Sequence, residues 1–417
     1  MHDRSYERHN YRVQNVHYDK DIRYVLQIYR WFLTPIGIWP LIASHASKGE
    51  RILSSFLITT CFSALCFVSI PYTHYVVFQE KDLYIKLKMA GCLMFVVICV
   101  IKYCYLMLQG SALGRCVNHI ENDWKILEEQ EHRNIMMENV TVGRTIIKLF
   151  AGCTYTGGMS YHALMPLLSS KKINENVTIR ILAYPGYDNF VDPQASPTYE
   201  ILFCVQCFTA LVMITITIAE CGLATIFVTH ACGQIQIQMA RLKVLVAEQK
   251  KKKAGFVDPL TVIIERHVET LRFSKDVEEV LREICLFEIV ASTLLICFVE
   301  YYCVTEWKNN DAVATSTYFI LLISFTFNIL IFCYIGELLV EQCRKIGITS
   351  YEIEWYNMPG KEALDLILLI AISNYPPKLT AGRIFDLSLT TFSIVLKTSM
   401  VYLNLLRTIV EWYEIQS

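Results

Sequence analysis

The sequence predicts an all-α polytopic membrane protein with seven transmembrane helices, and three observations carry that reading. Hydrophobic residues make up 54% of the 417-residue chain and the mean hydropathy is +0.36, above the roughly 45–50% apolar content of soluble domains. Whole windows of around 20 residues are nearly free of charge, the length that crosses a hydrocarbon core of about 30 Å. Period-two alternation is absent, so the spans are helices, which satisfy their own backbone, rather than barrel strands.

Residues 1–51 are polar, rich in Arg, His and Tyr, and carry no secretory signal pattern, so the first span is expected to act as its own insertion signal. Within them a short element from Tyr24 to Pro40 holds Trp31, Phe32 and Trp39, aromatics suited to a membrane interface. The spans are read as 52–78, 84–108, 144–168, 199–230, 281–305, 316–341 and 384–410. Between spans four and five, Gln234, Ile235, Ile237, Met239, Leu242 and Leu245, then Ile263, Ile264, His267 and Leu271, keep helical spacing. These positions predict amphipathic extensions of both spans, turning at Lys250–Lys253. Glu362–Ser373 is a further helix, ended by Pro376-Pro377. Four regions follow: a cytoplasmic segment 1–51 with its interfacial helix, a six-helix bundle 52–341 with extensions, a cytoplasmic anchor segment 342–383, and a last helix with an extracellular C-terminus, 384–417.

Orientation comes from Lys and Arg. The connections 1–51, 109–148, 231–282 and 342–383 hold 28 of the 38 basic residues, and those on the other side hold seven. The positive-inside rule therefore puts the N-terminus in the cytoplasm and the C-terminus outside. A G-protein-coupled receptor would be inverted relative to this. Asn176-Val177-Thr178 is a glycosylation pattern in the long outside loop. Asn139-Val140-Thr141 has the same pattern but falls on the cytoplasmic side.

Most of the sixteen cysteines, such as Cys61, Cys66, Cys92, Cys99 and Cys104, lie in spans and read as small hydrophobes. Cys204-Val205-Gln206-Cys207 has metal-like spacing but lies inside an apolar span, with no second pair or His cluster. No phosphate loop, zinc-protease motif or nucleophile elbow is present, so neither an enzyme nor a cofactor or metal is expected. The lysine run reads as a solvated turn near anionic lipid, not as a nucleic-acid site. Missing internal repeats count against a secondary transporter.

Tyr351-Glu352-Ile353-Glu354-Trp355-Tyr356-Asn357-Met358-Pro359, then Pro376-Pro377-Lys378-Leu379-Thr380-Ala381-Gly382 and the run from Phe392 to Leu406, resemble the C-terminal signature of insect odorant receptors. Tyr29-Arg30-Trp31, Gly37-Ile38-Trp39-Pro40, the chain length and the inverted seven-span layout resemble them too. The resemblance implies an odorant-gated, non-selective channel for monovalent and divalent cations in the plasma membrane of olfactory neurons. It implies a heterotetramer with the co-receptor Orco, assembled through the cytoplasmic helices, with the last helices around the pore. The co-receptor carries a long insertion between spans four and five that is absent here, which points to a tuned subunit. The alternative is a gustatory-type channel of the same superfamily. Those usually end in Thr-Tyr, five apolar residues and Gln-Phe, whereas this chain has Val401-Tyr402 and then Thr408-Ile409.

In the last helix Val401, Leu405 and Thr408 share one face. By resemblance Leu405 takes the hydrophobic gate position and Thr408 the polar position outside it, where an apolar ring can close a pore by dewetting. Lys397 and Arg407 fit a cation pathway poorly, which favours a mixed tetramer. Plain helix packing is the competing explanation. The resemblance places a small apolar odorant in the outer halves of spans two, three, four and six. Met89, Cys92 and Phe95 are candidates there, with Thr154, Gly157, Tyr161, Phe203, Cys207, Phe208, Tyr318, Phe319 and Leu322; ordinary core packing competes for each. His162 reads as a packed histidine. Lys102, Glu220, Glu288 and Glu300 are ionisable groups at membrane depth, which need partners or water.

Overall fold

The computed structural model describes residues 15–416, apart from positions 45, 169–170, 175–176, 189, 250–258 and 359. The first helices among the described residues are α1 (Tyr18–Leu33) and the short α2 (Trp39–Ile42), starting six residues earlier than the aromatic pattern alone predicts. Gly37 between them has φ +75°, and a Cβ there would meet the Ser54 carbonyl at 2.8 Å. Glycine is required at this turn because the first span passes so close.

The first span, α3 (Lys48–His74), opens on a capping box. Ser47 Oγ accepts from the Glu50 N–H at 3.2 Å, and Glu50 Oε2 accepts from the Ser47 N–H at 2.7 Å. It ends in a π-helical turn, Tyr75–Gln79. Pro71 inside the helix has no N–H, which frees the Phe67 carbonyl four residues back. The Tyr187 hydroxyl donates to that carbonyl at 3.3 Å. Next come α4 (Leu83–Leu108), α5 (Gly110–Lys125) and α6 (Gln130–Met159). Helix α6 runs into a second π turn, Ser160–Leu164, and the short α7 (Met165–Leu168). Here Pro166 frees the His162 carbonyl, which accepts from Cys207 Sγ at 3.8 Å.

A small hairpin pairs β1 (Lys171–Asn174) with β2 (Val177–Ile179); Asn176, the glycosylation candidate, lies outside the described residues. Two helices of about 75 Å each follow at 1.5 Å per residue: α8 (Thr198–Gln249) and α9 (Pro259–Lys308). Both extend far past a bilayer core, so the amphipathic continuations form as unbroken helices. The expected Lys250–Lys253 turn lies outside the described residues. Helix α10 (Ala312–Glu352) also overshoots its span, and Asp311 caps it by accepting from the Ala314 N–H at 2.9 Å. Helix α11 (Gly360–Ser373) falls where the sequence predicts it.

The last span was expected from residue 384, but the helix α12 runs Leu389–Gln416. The residues before it form a second hairpin, β3 (Thr380–Ala381) with β4 (Phe385–Asp386). Gly382 and Arg383 both have φ +60°, and the Ile384 N–H closes the turn on the Ala381 carbonyl at 3.0 Å, a type I′ geometry. The Gly382 N–H donates to the Arg282 carbonyl of α9 at 3.1 Å, and a Cβ on Gly382 would meet Leu286 at 2.7 Å. The Thr-Ala-Gly stretch thus pins the entry of α12 to α9. Ser388 Oγ then accepts from the Thr391 N–H at 3.2 Å and starts the helix.

Among the described residues six helices are long and apolar enough to cross a membrane: α3, α4, α8, α9, α10 and α12. The 30-residue α6 makes seven, its apolar stretch diluted by Thr, Gly and Tyr. Helix α8 is the central mast, buried on every side from Thr209 to Ile235 apart from Leu211 and the half-buried Gln234, and it packs on α6, α9, α10, α1 and α3. One end of the bundle, the connector end, gathers α1, α5, α11 and the extensions of α8 and α9. The other, the loop end, carries the β1–β2 hairpin and the loop that leads into α8.

Candidate functional site

At the loop end, α4, α6, α8, α9 and α10 line a cavity of about 70 Å³, several times the roughly 10–15 Å³ that admits one water. Each wall follows from local sequence. Gly91 on α4 leaves space because a Cβ would meet Phe298 at 3.1 Å, and Cys92 and Phe95 follow it along the wall. Helix α6 gives Phe150, Thr154 and Gly158; a Cβ at Gly158 would fall 2.4 Å from Ile214. The π turn then adds Tyr161 and His162 in succession. The wider turn re-aims neighbouring side chains, as π turns commonly do at functional sites.

The aromatic groups hold one another. The Tyr161 hydroxyl and Cys92 Sγ share a hydrogen at 2.7 Å. His162 donates from Nδ1 to the Gly158 carbonyl at 2.7 Å, so in the neutral ring Nε2 accepts from the Tyr184 hydroxyl at 2.6 Å. Tyr184 comes from the long loop, and Gln206 of α8 grips that residue's backbone from both sides, at 2.7 and 3.2 Å. The middle of the Cys204–Cys207 motif is therefore a loop clamp. Both its cysteines are free thiols, and no metal-binding cluster occurs among the described residues. Helix α9 contributes Leu295, Phe298, Val299 and Tyr302, and α10 contributes Tyr318, Leu321, Ser324, Phe325 and Asn328. The Tyr302 and Tyr318 rings lie 5.3 Å apart, and Phe95 meets Phe325 edge-on at 5.8 Å.

Of the residues singled out from sequence, Cys92, Phe95, Thr154, Tyr161, His162 and Tyr318 come together on this wall. The others sit elsewhere. Met89 packs against the core, and its carbonyl accepts from Tyr72 at 3.0 Å. Gly157 faces α10, where a Cβ would meet Ile320 and Ser324 at 3.2 Å; it permits close helix packing. Phe203 stacks on Tyr199 at 6.0 Å, and Cys207 bonds the His162 carbonyl. Phe319 and Phe208 are exposed, and Leu322 packs between the two apolar clusters. Sequence reasoning named no α9 residue for the ligand wall, yet Phe298 and Tyr302 at i, i+4 were a readable signal.

Beneath the cavity three of the four ionisable groups meet. Lys102 Nζ lies 3.0 Å from Glu220 and bonds Glu288; Glu288 also accepts from Ser292 at 2.9 Å and from Asn328. Lys102, Glu220, Glu288 and Asn328 come from four different helices, and only Ser292 shares α9 with Glu288, so sequence spacing does not announce the ion cluster. Glu300 stands apart from it, with Oε2 lacking a hydrogen-bond partner.

On α12 the inward face is Thr391, Val395, Ser399, Leu406 and Val410, packed on α9 and α10. Val401, Leu405 and Thr408 are exposed on another face. At 100° per residue Lys397 shares that exposed face. Arg407 points elsewhere and lies 4.0 Å from Glu411, one turn on.

The family model for the 7tm odorant receptor matches residues 86–400. Odorant receptor 13a of Drosophila melanogaster is 27% identical over 51% of this chain, and the match spans about half of that relative's length, 53%. Odorant receptor 85b of the same fly is 23% identical over 91% of this chain and 97% of its own. The fold matches the structure of the insect olfactory receptor OR5 from Machilis hrabei in complex with eugenol. Its TM-score is 0.76 at 14% identity, covering 94% of this chain and 100% of that one. With the matched model spanning most of the seven-helix bundle, the chain belongs to the insect odorant receptor family, as a multi-pass receptor of the cell membrane.

Proposed function

We propose that this chain is the odorant-tuned subunit of a heteromeric cation channel, with the co-receptor Orco as its partner. The observation that carries the reading is the cavity: aromatic, almost wholly apolar and lined by five helices, it suits a small volatile. The related OR5 structure holds eugenol, a small organic molecule of the same general kind. The short α8–α9 connection, positions 250–258, supports a tuned subunit over the co-receptor. The charge asymmetry supports a cytoplasmic N-terminus, with the connector end as the inner anchor.

Opening is a population shift, so the odorant must bind the open state better than the closed one. Helix α10 links the two sites: its Tyr318-to-Asn328 stretch lines the cavity, and Gly336 one layer lower sits where a Cβ would meet the Leu387 carbonyl at 2.3 Å. A shift of α10 on ligand binding therefore pushes directly on the entry to α12. The exposed face of α12 with Val401, Leu405 and Thr408 supports a pore lining. Lys397 on that same face is easier to accommodate when co-receptor helices supply most of the wall.

The test is current recording from cells that co-express both chains, against a broad odorant panel. Responses should vanish in Cys92→Trp, which fills the cavity, and Leu405→Ala should raise the basal current. Failure of every volatile, with both proteins at the surface, sinks the reading. Currents from this chain alone would favour the gustatory-type alternative.

A further inference from the structure

The ion cluster beneath the cavity holds two carboxyl groups and one ammonium, and the two acids are not equally provided for. Glu288 accepts from Lys102 Nζ, from Ser292 Oγ at 2.9 Å and from Asn328 Nδ2, three donors carried by α4, α9 and α10. Glu220 on α8 is 1% exposed; it has a 3.0 Å contact with Lys102 and no hydrogen bond to either carboxyl oxygen. Among the described residues neither acid reaches a second basic group. The other titratable side chains around them are Cys99 of α4, Cys221 of α8, Cys285 of α9, Cys333 of α10 and Tyr29 of α1, which faces Gly222. All five are buried, and thiols and phenols are uncharged at neutral pH. Two ionised acids around one lysine therefore leave a net negative charge inside apolar helices, where an unbalanced charge is strongly disfavoured.

We propose that Glu220 is a proton-binding site: at neutral pH it stands as a carboxylic acid beside a Lys102–Glu288 ion pair. The donor sets decide between the two acids. A carboxylate is the form that three donors stabilise, one of them an ammonium, and Glu288 has them. An acid without such donors is less costly to bury with its proton on. The proton then sets the mechanics of the seam. Glu288 ties α4, α9 and α10 into one block, through Lys102 and Asn328. The uncharged Glu220 leaves α8, the central mast, touching that cluster through one contact that is not a hydrogen bond. Losing the proton makes Glu220 a rival of Glu288 for Lys102 and adds a charge that no described neighbour balances.

The test uses the purified full-length receptor and neutral isosteres. At neutral pH the infrared spectrum of the parent should contain the carbonyl stretch of a buried, uncharged carboxylic acid. Glu220→Gln should remove that band, and Glu220→Asp, which keeps an acid there, should shift it. The band should also vanish in Glu288→Gln, because Glu220 then gives up its proton to balance Lys102. Glu220→Gln should keep the parent's melting temperature. Adding Glu288→Gln to it strips Lys102 of its last counter-charge and should cost about a hundred-fold or more in the folding equilibrium. The pH dependence has a definite sign. An unfolded glutamate loses its proton at about pH 4.3. The folded state keeps one more, so stability falls as pH rises. Above about pH 5 the parent should therefore lose stability relative to Glu220→Gln, by up to about ten-fold in the folding equilibrium per pH unit. A spectrum without the band, a band that Glu220→Asp leaves in place, parallel pH curves, or a single Glu220→Gln as damaging as the double variant each overturns the proposal.

Discussion

The two ends of the bundle are held together by different physics. At the connector end most of the contacts are between buried polar groups, although Trp124 Nε1, Arg144 Nε and His267 Nε2 have no hydrogen-bond partner. Arg133 grips Asp21 through two bonds of 2.7 and 2.8 Å, and Asn15 joins Asp21 to the Trp124 carbonyl. His230 meets Asp123 at 2.8 Å, and Gln238 ties His267 to Thr270 at 2.8 and 2.9 Å. Arg144 lies over the Tyr24 ring at 3.9 Å. At the loop end the contacts are aromatic faces and edges around a space. Paired polar groups fix one geometry, since a displaced partner leaves an unsatisfied group behind. Aromatic packing tolerates small rearrangements and leaves room. A rigid end and an adaptable end in one chain are what a receptor needs if binding at one place must move another.

The Lys102 cluster is the seam between them, and breaking it should have the largest effect. Lys102→Met leaves Glu288 and Glu220 buried without their cation, which costs about 3–5 kcal/mol when one partner of a buried pair is removed. Thermal unfolding of the purified receptor in detergent, or loss of surface expression, reads it out. A variant as stable as the parent would mean the cluster is wet, and the seam would not exist.

How much of this was legible in sequence depends on the range of the interaction. The apolar windows gave the helices because a span needs only its own residues. The π turns were within reach as Pro71 and Pro166, but what caps the freed carbonyls, Tyr187 and Cys207, lies 120 and 45 residues away. Lys102, Glu220 and Glu288 were visible as groups needing partners, while the pairing itself is a property of helix packing. Asn328, flanked by Phe327 and Ile329, was overlooked although a lone amide in an apolar span is itself a signal. Helix ends were misjudged where a hairpin intervened, as at Gly382 before α12.

The next effect tests the rigid end. Asp21→Ala removes the bidentate acceptor of Arg133 and one of the two acceptors of the Asn15 amide, costing about 2 kcal/mol for a charged hydrogen-bonded pair. The same pair predicts an acid response. Burial alone would raise the Asp21 carboxyl's pKa, but the hydrogen bonds from Arg133 and Asn15 outweigh it and hold the pKa below the usual carboxylate value. A depressed folded pKa contributes stability that is complete above the unfolded value, about 4, and disappears as pH falls through the folded one. Parent receptor should therefore lose thermal stability below about pH 4 more steeply than Asp21→Ala does. Parallel curves would show that Asp21 is not the group responsible.

Tyr184→Phe probes the loop that closes the adaptable end. It leaves His162 Nε2 without its donor in a buried place, a loss of about 1–2 kcal/mol. The aromatic ring stays against Tyr72, with centroids 5.2 Å apart, so the fold should hold. Hydrogen exchange of the 180–197 backbone should rise while the connector end is unchanged. Equal change at both ends would contradict the division drawn between them.

Thr154→Val should be the smallest change in stability and the most telling in function. Thr154 Oγ1 bonds only the Phe150 carbonyl of its own helix, at 2.8 Å, a back-bond that adds little to a helix. Valine has nearly the same volume and β-branching, so the melting temperature should move by less than about 0.5 kcal/mol equivalent. Yet Thr154 stands on the cavity wall, and a methyl in place of a hydroxyl changes what a ligand touches. A shifted odorant dose–response at constant stability would separate the two roles of the loop end, holding the fold and reading a ligand. A loss of stability as large as that of Asp21→Ala would instead show both ends to be equally intolerant, and the contrast between them would fail.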